Sequence, residues 1–300
     1  MNHTKLFFSL LAALTLCACG NSQQERQTLN QQQRKALAKA DSAALKIATT
    51  PTMDCLPLFV AADDSAFQHA GVDVHLRERK AQMDGDTLVA KGCVEGVVSD
   101  LVRTERLQRE GTPLEYATAT GAAWQLVANR TARVKTAGQL AGKMIAMTRF
   151  SATDLLTDLV LGEAKPKQEV FRIQINDVQT RLRMLLNNEM DAMWLPEPQA
   201  TAARQHGHTV LPDKHSKELR LGVIAFSAKA LQKDGRRQQV ETFLKVYNQT
   251  CDSINKYGVR HYANVIKKHM GTDDKTIAAL PDTKYQHAGA PRKQDIERAK

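Results

Sequence analysis

The chain has 300 residues, with 42 Lys and Arg against 32 Asp and Glu, a formal net charge of +10, 42% hydrophobic residues and 25% charged ones. This is the composition of a globular protein with room for one large or two medium domains, and it excludes disorder throughout, a collagen-like repeat and a disulfide-dense scaffold. Beyond the N-terminus no apolar run reaches the roughly 18–20 residues that span a bilayer, which excludes a multi-pass helical membrane protein.

Residues 1–18 read as a secretory signal peptide: a short n-region with Lys5, then an apolar run over 6–16 broken only by Ser9 and Thr15. Leu16-Cys17-Ala18-Cys19-Gly20 resembles the lipobox of bacterial lipoproteins, with Cys17 where Ala, Ser or Thr is usual. The resemblance implies cleavage before Cys19 and acylation of its thiol. At about 0.8 kcal/mol per buried CH2, several acyl chains hold a protein at a membrane without a spanning helix. The alternative is an uncleaved anchor or a soluble secreted protein. Residues 19–42, rich in Gln, Asn, Arg, Lys and Ala, read as the lipidated N-terminus and a polar tether that turns helical over 34–44.

From residue 43 onward strands and helices alternate, the pattern of α/β domains with mostly parallel sheets. Strands are expected at 45–49, 72–76, 94–98, 114–119 and 124–128, with a helix from Leu56 that Gly71 stops and another over 84–91. Residues 143–147 begin a second strand–helix series, with further strands at 170–175 and 192–195. Val178, Leu182, Leu185 and Leu186 between them follow the spacing of an amphipathic helix. The strand at 221–226 and the helix at 240–255 resume the texture of the first half. The expectation is two lobes with two crossings, lobe 1 from 43–128 and 222–300 and lobe 2 from 129–221.

Two strand ends carry the polar groups a binding site needs. Ser151 and Asp154 form an S-x-x-D capping pattern ahead of an apolar stripe of Leu155, Leu156, Leu159 and Val160, and Arg149 lies beside them. Free N–H groups and a partial positive charge at a helix start accept a carboxylate, sulfonate or phosphate; the alternative is that Ser151 only caps its own helix and Arg149 is a solvated charge. Thr49-Thr50-Pro51-Thr52-Met53-Asp54 clusters hydroxyls and a carboxylate at another strand end, where a plain N-cap would use the same residues. Ser99-Asp100 and Thr120-Gly121 sit at further strand ends with the same ambiguity.

Enzymatic readings find little support. His206-Gly207-His208 is the one close histidine pair and could bind a metal, but with Gly at C′ of a helix end the solvated loop is the favoured reading. There is no G-x-S-x-G, H-E-x-x-H, G-x-x-x-x-G-K-[ST] or C-x-x-C. Cys55, Cys93 and Cys251 match no zinc spacing, and an odd number leaves at least one unpaired. Aromatics are only 5% and the basic excess is diffuse, so no nucleic-acid partner is expected.

Cys55-Leu56-Pro57-Leu58-Phe59-Val60-Ala61-Ala62, Leu140-Ala141-Gly142-Lys143-Met144-Ile145-Ala146-Met147, the segment from Leu185 to Pro198 with its DAMWLPEP ending, and Tyr285 to Ile296 together form a series. From about Lys46 to the C-terminus the chain resembles the solute-binding proteins of ABC importers for sulfonates, taurine, nitrate and thiamine-precursor pyrimidines. The resemblance implies a two-lobed type II periplasmic-binding-protein fold, α/β in class, that closes on a small-molecule ligand and delivers it to an ABC permease at a bacterial membrane. It implies a monomer with no cofactor, no metal and no catalysis. Carried over by motif, the ligand-facing residues are Thr52, Asp54, Ser99, Thr120, Ser151, Thr153 and Glu197, with Arg149 added on electrostatic grounds. Cys55 in the first ligand loop and the scarcity of aromatics there depart from the family. Two other readings stay open: a membrane-anchored sensor or scaffold without transport, and an enzyme related to a pyrimidine synthase on the same scaffold, whose cysteine-rich motif is missing here.

Overall fold

The computed structural model describes residues 41–300 together with Gln31, Gln33, Lys35 and Ala36. The expected signal segment, Cys19 and most of the tether lie outside the described residues. A compact unit runs from Leu45 to Lys300.

This unit contains two five-stranded sheets. In the first, β1 (Leu45–Thr49) pairs in parallel with β2 (Val74–Glu78) and β3 (Gly96–Asp100), and β10 (Gly222–Ser227) lies antiparallel between β3 and β4 (Leu114–Ala119). In the second, β6 (Met144–Met147) pairs in parallel with β7 (Phe171–Gln174) and β8 (Ala192–Leu195), and β5 (Gln125–Ala128) lies antiparallel between β8 and the short β9 (Thr209–Val210). Near-continuous apolar runs such as Ala192-Met193-Trp194-Leu195 are fully buried because helices cover both faces of each sheet.

The helices follow the strands. In the first lobe, α1 (Leu56–Asp63) and α2 (Ala66–His69) divide the single helix expected before Gly71, because Ser65 takes a left-handed φ of 55°. There follow α3 (Gln82–Ala90) and α4 (Leu101–Arg109). The second lobe holds α5 (Ala152–Ala164), α6 (Val178–Leu186) and α7 (Gln199–Gln205). The return crossing carries α8 (His215–Glu218), and α9 (Ala228–Leu231), α10 (Arg236–Tyr257), α11 (Ala263–Met270), α12 (Asp274–Ala278) and α13 (Lys293–Ala299) complete the chain. Leu45, Ile47, Leu58, Phe59, Phe67, Phe226 and Phe243 centre the first core, and Leu126, Leu140, Ile145, Met147, Leu156 and Trp194 the second. None of the helices among the described residues is long and apolar enough to cross a membrane.

One expected boundary is corrected. Residues 125–128, expected in lobe 1, pair with β8 in the register Gln125↔Leu195 to Ala128↔Ala192 and so belong to the second sheet. A short buried strand looks alike whichever sheet takes it, so composition did not place it. The outward crossing therefore lies between Ala119 and Gln125, and the return between Val210 and Gly222.

The two crossings abut at Gly222, whose carbonyl accepts from Thr120 N at 2.8 Å. A Cβ on Gly222 would run into Thr120 Oγ1 and Ala122 Cβ. Gly222→Ala is accordingly expected to destabilise the fold by about 1–3 kcal/mol, as overpacking does. Calorimetry checks it; an unchanged unfolding temperature would mean that the crossings are not tightly abutted.

Candidate functional site

Both lobes present the carboxyl ends of their parallel strands to a shared cleft, the usual ligand position in such sheets. From the first lobe, the chain leaves β1 through Thr50-Pro51-Thr52 into a 3-10 turn at Met53–Cys55. Thr50 and Thr52 hydroxyls lie 3.2 Å apart, and Thr52 Oγ1 donates to Asp54 Oδ1 at 2.6 Å. Thr120 Oγ1 reaches Asp54 Oδ2 at 3.4 Å. Burial drives the Asp54 pKa upward, with the hydrogen bonds opposing.

From the second lobe, β6 runs into Thr148, and Ser151 caps α5 by accepting from Thr153 N at 3.1 Å. Ser151 Oγ donates to the Thr148 carbonyl at 2.7 Å, and Thr153 Oγ1 accepts from Thr148 N at 3.0 Å. The expected capping box is modified: Asp154 accepts from Phe150 N at 2.8 Å instead of from Ser151 N. Behind these hydroxyls stands Arg181, only 2% exposed. It donates to the Ile175 carbonyl at 2.6 Å, to the Trp194 carbonyl at 2.9 Å and to Thr148 Oγ1. Burial lowers its pKa to about 9, partly offset by the charge of Asp177.

Thr50, Thr52 and Asp54 on one lobe and Trp124, Thr148, Ser151, Thr153, Asn176 and Arg181 on the other line a single cavity of about 30 Å³. The lobes are drawn together around it. Met53 N donates to the Glu197 carbonyl at 2.9 Å, Gln199 Nε2 to the Pro51 carbonyl at 3.0 Å, and Gln179 Nε2 to the Met270 carbonyl at 2.7 Å. Among the described residues neither Asp54 nor Arg181 has an ion-pair partner within 4.0 Å. The cavity thus holds a buried carboxyl on one lobe and a buried guanidinium on the other. Buried charge is costly unless compensated, so each invites a complementary group.

Of the residues picked out from sequence, Thr52, Asp54, Ser151 and Thr153 line this cavity. Thr120 touches Asp54 from a neighbouring groove. Ser99 does not reach the cavity: it is buried within β3 and donates to Asp86 Oδ1 at 3.2 Å, beside the Asp86–Arg103 ion pair. Arg149 is exposed to solvent: β6 ends at Met147, and the turn that follows buries Thr148 and leaves Arg149 and Phe150 outside. The Glu197 carboxylate is occupied within lobe 2 by Gln125 Nε2 at 2.8 Å, Thr201 N at 2.9 Å and Arg204 at 2.8 Å, leaving its carbonyl to meet the first lobe. Sequence reasoning missed Arg181, Trp124, Asn176 and Thr148. Arg181 had a signal: three residues after Val178 and four before Leu185, it is a cation on the apolar stripe of α6.

The other polar candidates find ordinary partners. His208 Nδ1 accepts from Arg130 N at 3.2 Å and His206 Nδ1 meets the Ala202 carbonyl at 2.8 Å, so the histidine pair is engaged with backbone. Among the described residues no group of three or more His, Cys, Asp or Glu side chains could hold a metal ion. Cys55, Cys93 and Cys251 are free thiols, and burial pushes Cys55 upward in pKa.

Two α/β lobes, joined by two crossings and closed over a polar cavity, define the periplasmic-binding-protein fold. The family model described as NMT1/THI5 like matches residues 52–298, and the chain belongs to that family. Among solved structures it is similar to the alkanesulfonate-binding protein SsuA from Xanthomonas axonopodis pv. citri bound to MOPS, at 16% identity and a TM-score of 0.69 over 86% of this chain and 89% of that one. It is also similar to the aliphatic sulphonate binding protein SsuA from Escherichia coli, at 16% identity and a TM-score of 0.67 over 86% and 85% of the two chains. The nitrate-binding protein NrtA from Synechocystis PCC 6803 matches at 11% identity and a TM-score of 0.66, over 78% and 68%. Comparison with curated proteins gives no match.

Proposed function

We propose that the protein is an extracytoplasmic substrate-binding lipoprotein, anchored through Cys19, that captures a small polar solute between its lobes and delivers it unchanged to an ABC permease. The observation that carries this reading is the pairing of Asp54 and Arg181, buried, of opposite charge, and set on opposite lobes around one cavity. A ligand that touches both has differential affinity for the closed form, which is what drives a hinge equilibrium. Among the sulfonate, taurine, nitrate and pyrimidine classes, a bipolar aminosulfonate of the taurine kind satisfies both charges. A nitrate or simple sulfonate answers Arg181 alone, and a neutral aminopyrimidine offers donors to Asp54 alone.

The test is a thermal-shift screen of the full chain against aminosulfonates, simple sulfonates, nitrate and aminopyrimidines. A ligand at about 100 times its Kd stabilises the native state by about 2.7 kcal/mol. A saturable shift with the aminosulfonate is expected; no shift with any class would reject solute capture.

A further inference from the structure

The turn between β6 and α5 contains a feature that solute binding leaves unused. Phe150 holds a φ of 56°, in the left-handed region that a bulky aromatic residue rarely adopts. Its N–H is held by Asp154 at 2.8 Å, and Asp154 is braced by Arg172 at 3.2 Å, which also pairs with Asp158 at 2.6 Å. The strained backbone does not serve to bury the ring, which is 53% exposed. It sends the ring out of the second lobe into a groove of about 330 Å³ between α3 and α4 of the first, lined by Met83, Asp86, Arg103 and Arg106 among others. There the Arg106 guanidinium carbon lies 4.2 Å from the ring centroid, a cation–π contact across the lobes.

The residues on either side of this contact reach the solute cavity. Thr148 and Ser151 flank Phe150 in the same turn and line the cavity, and Met83 lines both the cavity and the groove. We infer that Phe150 is a latch: docked on Arg106, it raises the population of the closed form and so positions Thr148 and Ser151 against the first lobe. Non-glycine residues held at positive φ cluster where strain serves a conformational role. The inference rests on the hinge-closure reading above, but its test needs no solute.

The chain provides its own reporter. Of its two tryptophans, Trp194 is fully buried, whereas Trp124 lines both the cavity and the neighbouring groove at 8% exposure, so the change in acrylamide quenching from wild type to variant reads cleft opening. In the full chain without solute, Phe150→Gly is expected at least to double the quenching constant. Its unfolding temperature should hold or rise, because glycine accepts the left-handed conformation without strain. Arg106→Met should open the cleft likewise, while Phe150→Tyr and Arg106→Lys, which keep ring and cation, should quench as the wild type does. Wild-type quenching in Phe150→Gly would overturn the latch, as would equal opening by Phe150→Tyr. A latch that fails this test leaves solute capture standing, and a solute screen without a hit leaves the quenching result standing.

Discussion

Arg181→Met is expected to weaken binding of an anionic or bipolar solute by about 2–5 kcal/mol, or roughly 30-fold or more in Kd, the cost of removing one partner from a buried hydrogen-bonded charge pair. The size of the effect follows from the site. The guanidinium is buried, spends three of its donors on Ile175, Trp194 and Thr148, and has no ion-pair partner among the described residues. Its remaining N–H groups are therefore aimed by the fold at little cost on binding. Arg181→Lys keeps the charge but loses the planar fork, so its loss should fall between wild type and Arg181→Met. Isothermal titration checks the order, with circular dichroism confirming that each variant unfolds cooperatively; Arg181→Met with wild-type affinity would remove Arg181 from the site.

Asp54→Asn separates bipolar from purely anionic ligands. Asparagine removes the charge, keeps one acceptor oxygen for Thr52 and turns its amide NH2 to donate to Thr120 Oγ1, a hydroxyl that accepts as well as donates. Affinity for an aminosulfonate should fall by about 2 kcal/mol or more, while affinity for a simple sulfonate should hold or improve, since a buried negative charge no longer opposes it. The pH dependence has a definite sign. Burial raises the Asp54 pKa, so lowering the pH protonates it sooner than an exposed aspartate. Aminosulfonate affinity should therefore rise with pH through the raised pKa and lose that slope in Asp54→Asn. The free protein behaves oppositely: a carboxyl raised in the folded state contributes stability that is present below its unfolded pKa and lost as pH climbs through the folded one. Binding that is independent of pH in the wild type would count against Asp54 as the cationic subsite.

Much of this architecture was legible in residue order. The strands at 45–49 and 192–195 fall where apolar runs between turn signals put them, since a strand buried on both faces advertises itself by composition alone, and the half-exposed edge strand at 114–119 also falls where expected. The lobe that receives Gln125–Ala128 was not legible, because sheet membership depends on pairing with β8, some 65 residues later in the chain. The site divided similarly. Thr52, Asp54 and Ser151 stood out as polar groups at strand ends and Thr153 came with the family resemblance; all four line the cavity, although only Ser151 caps a helix with its side chain. Arg149 was singled out, and Arg181 was passed over. A cation beside a helix start looks functional in sequence, yet it faces solvent, whereas a cation on an apolar helical stripe looks like an interruption and turns out to be the buried charge. Glu197 was chosen for its motif, and its carboxylate serves the second lobe itself through Arg204 and Gln125.

The measurement that bears most directly on capture between two opposed charges is isothermal titration of the full chain with taurine, ethanesulfonate and ethylamine, which present both charges, the anion alone and the cation alone. Saturable one-to-one binding of taurine is expected, with each singly charged analogue weaker by tenfold or more. Ethanesulfonate binding as tightly as taurine, or no heat from any of the three, would contradict it.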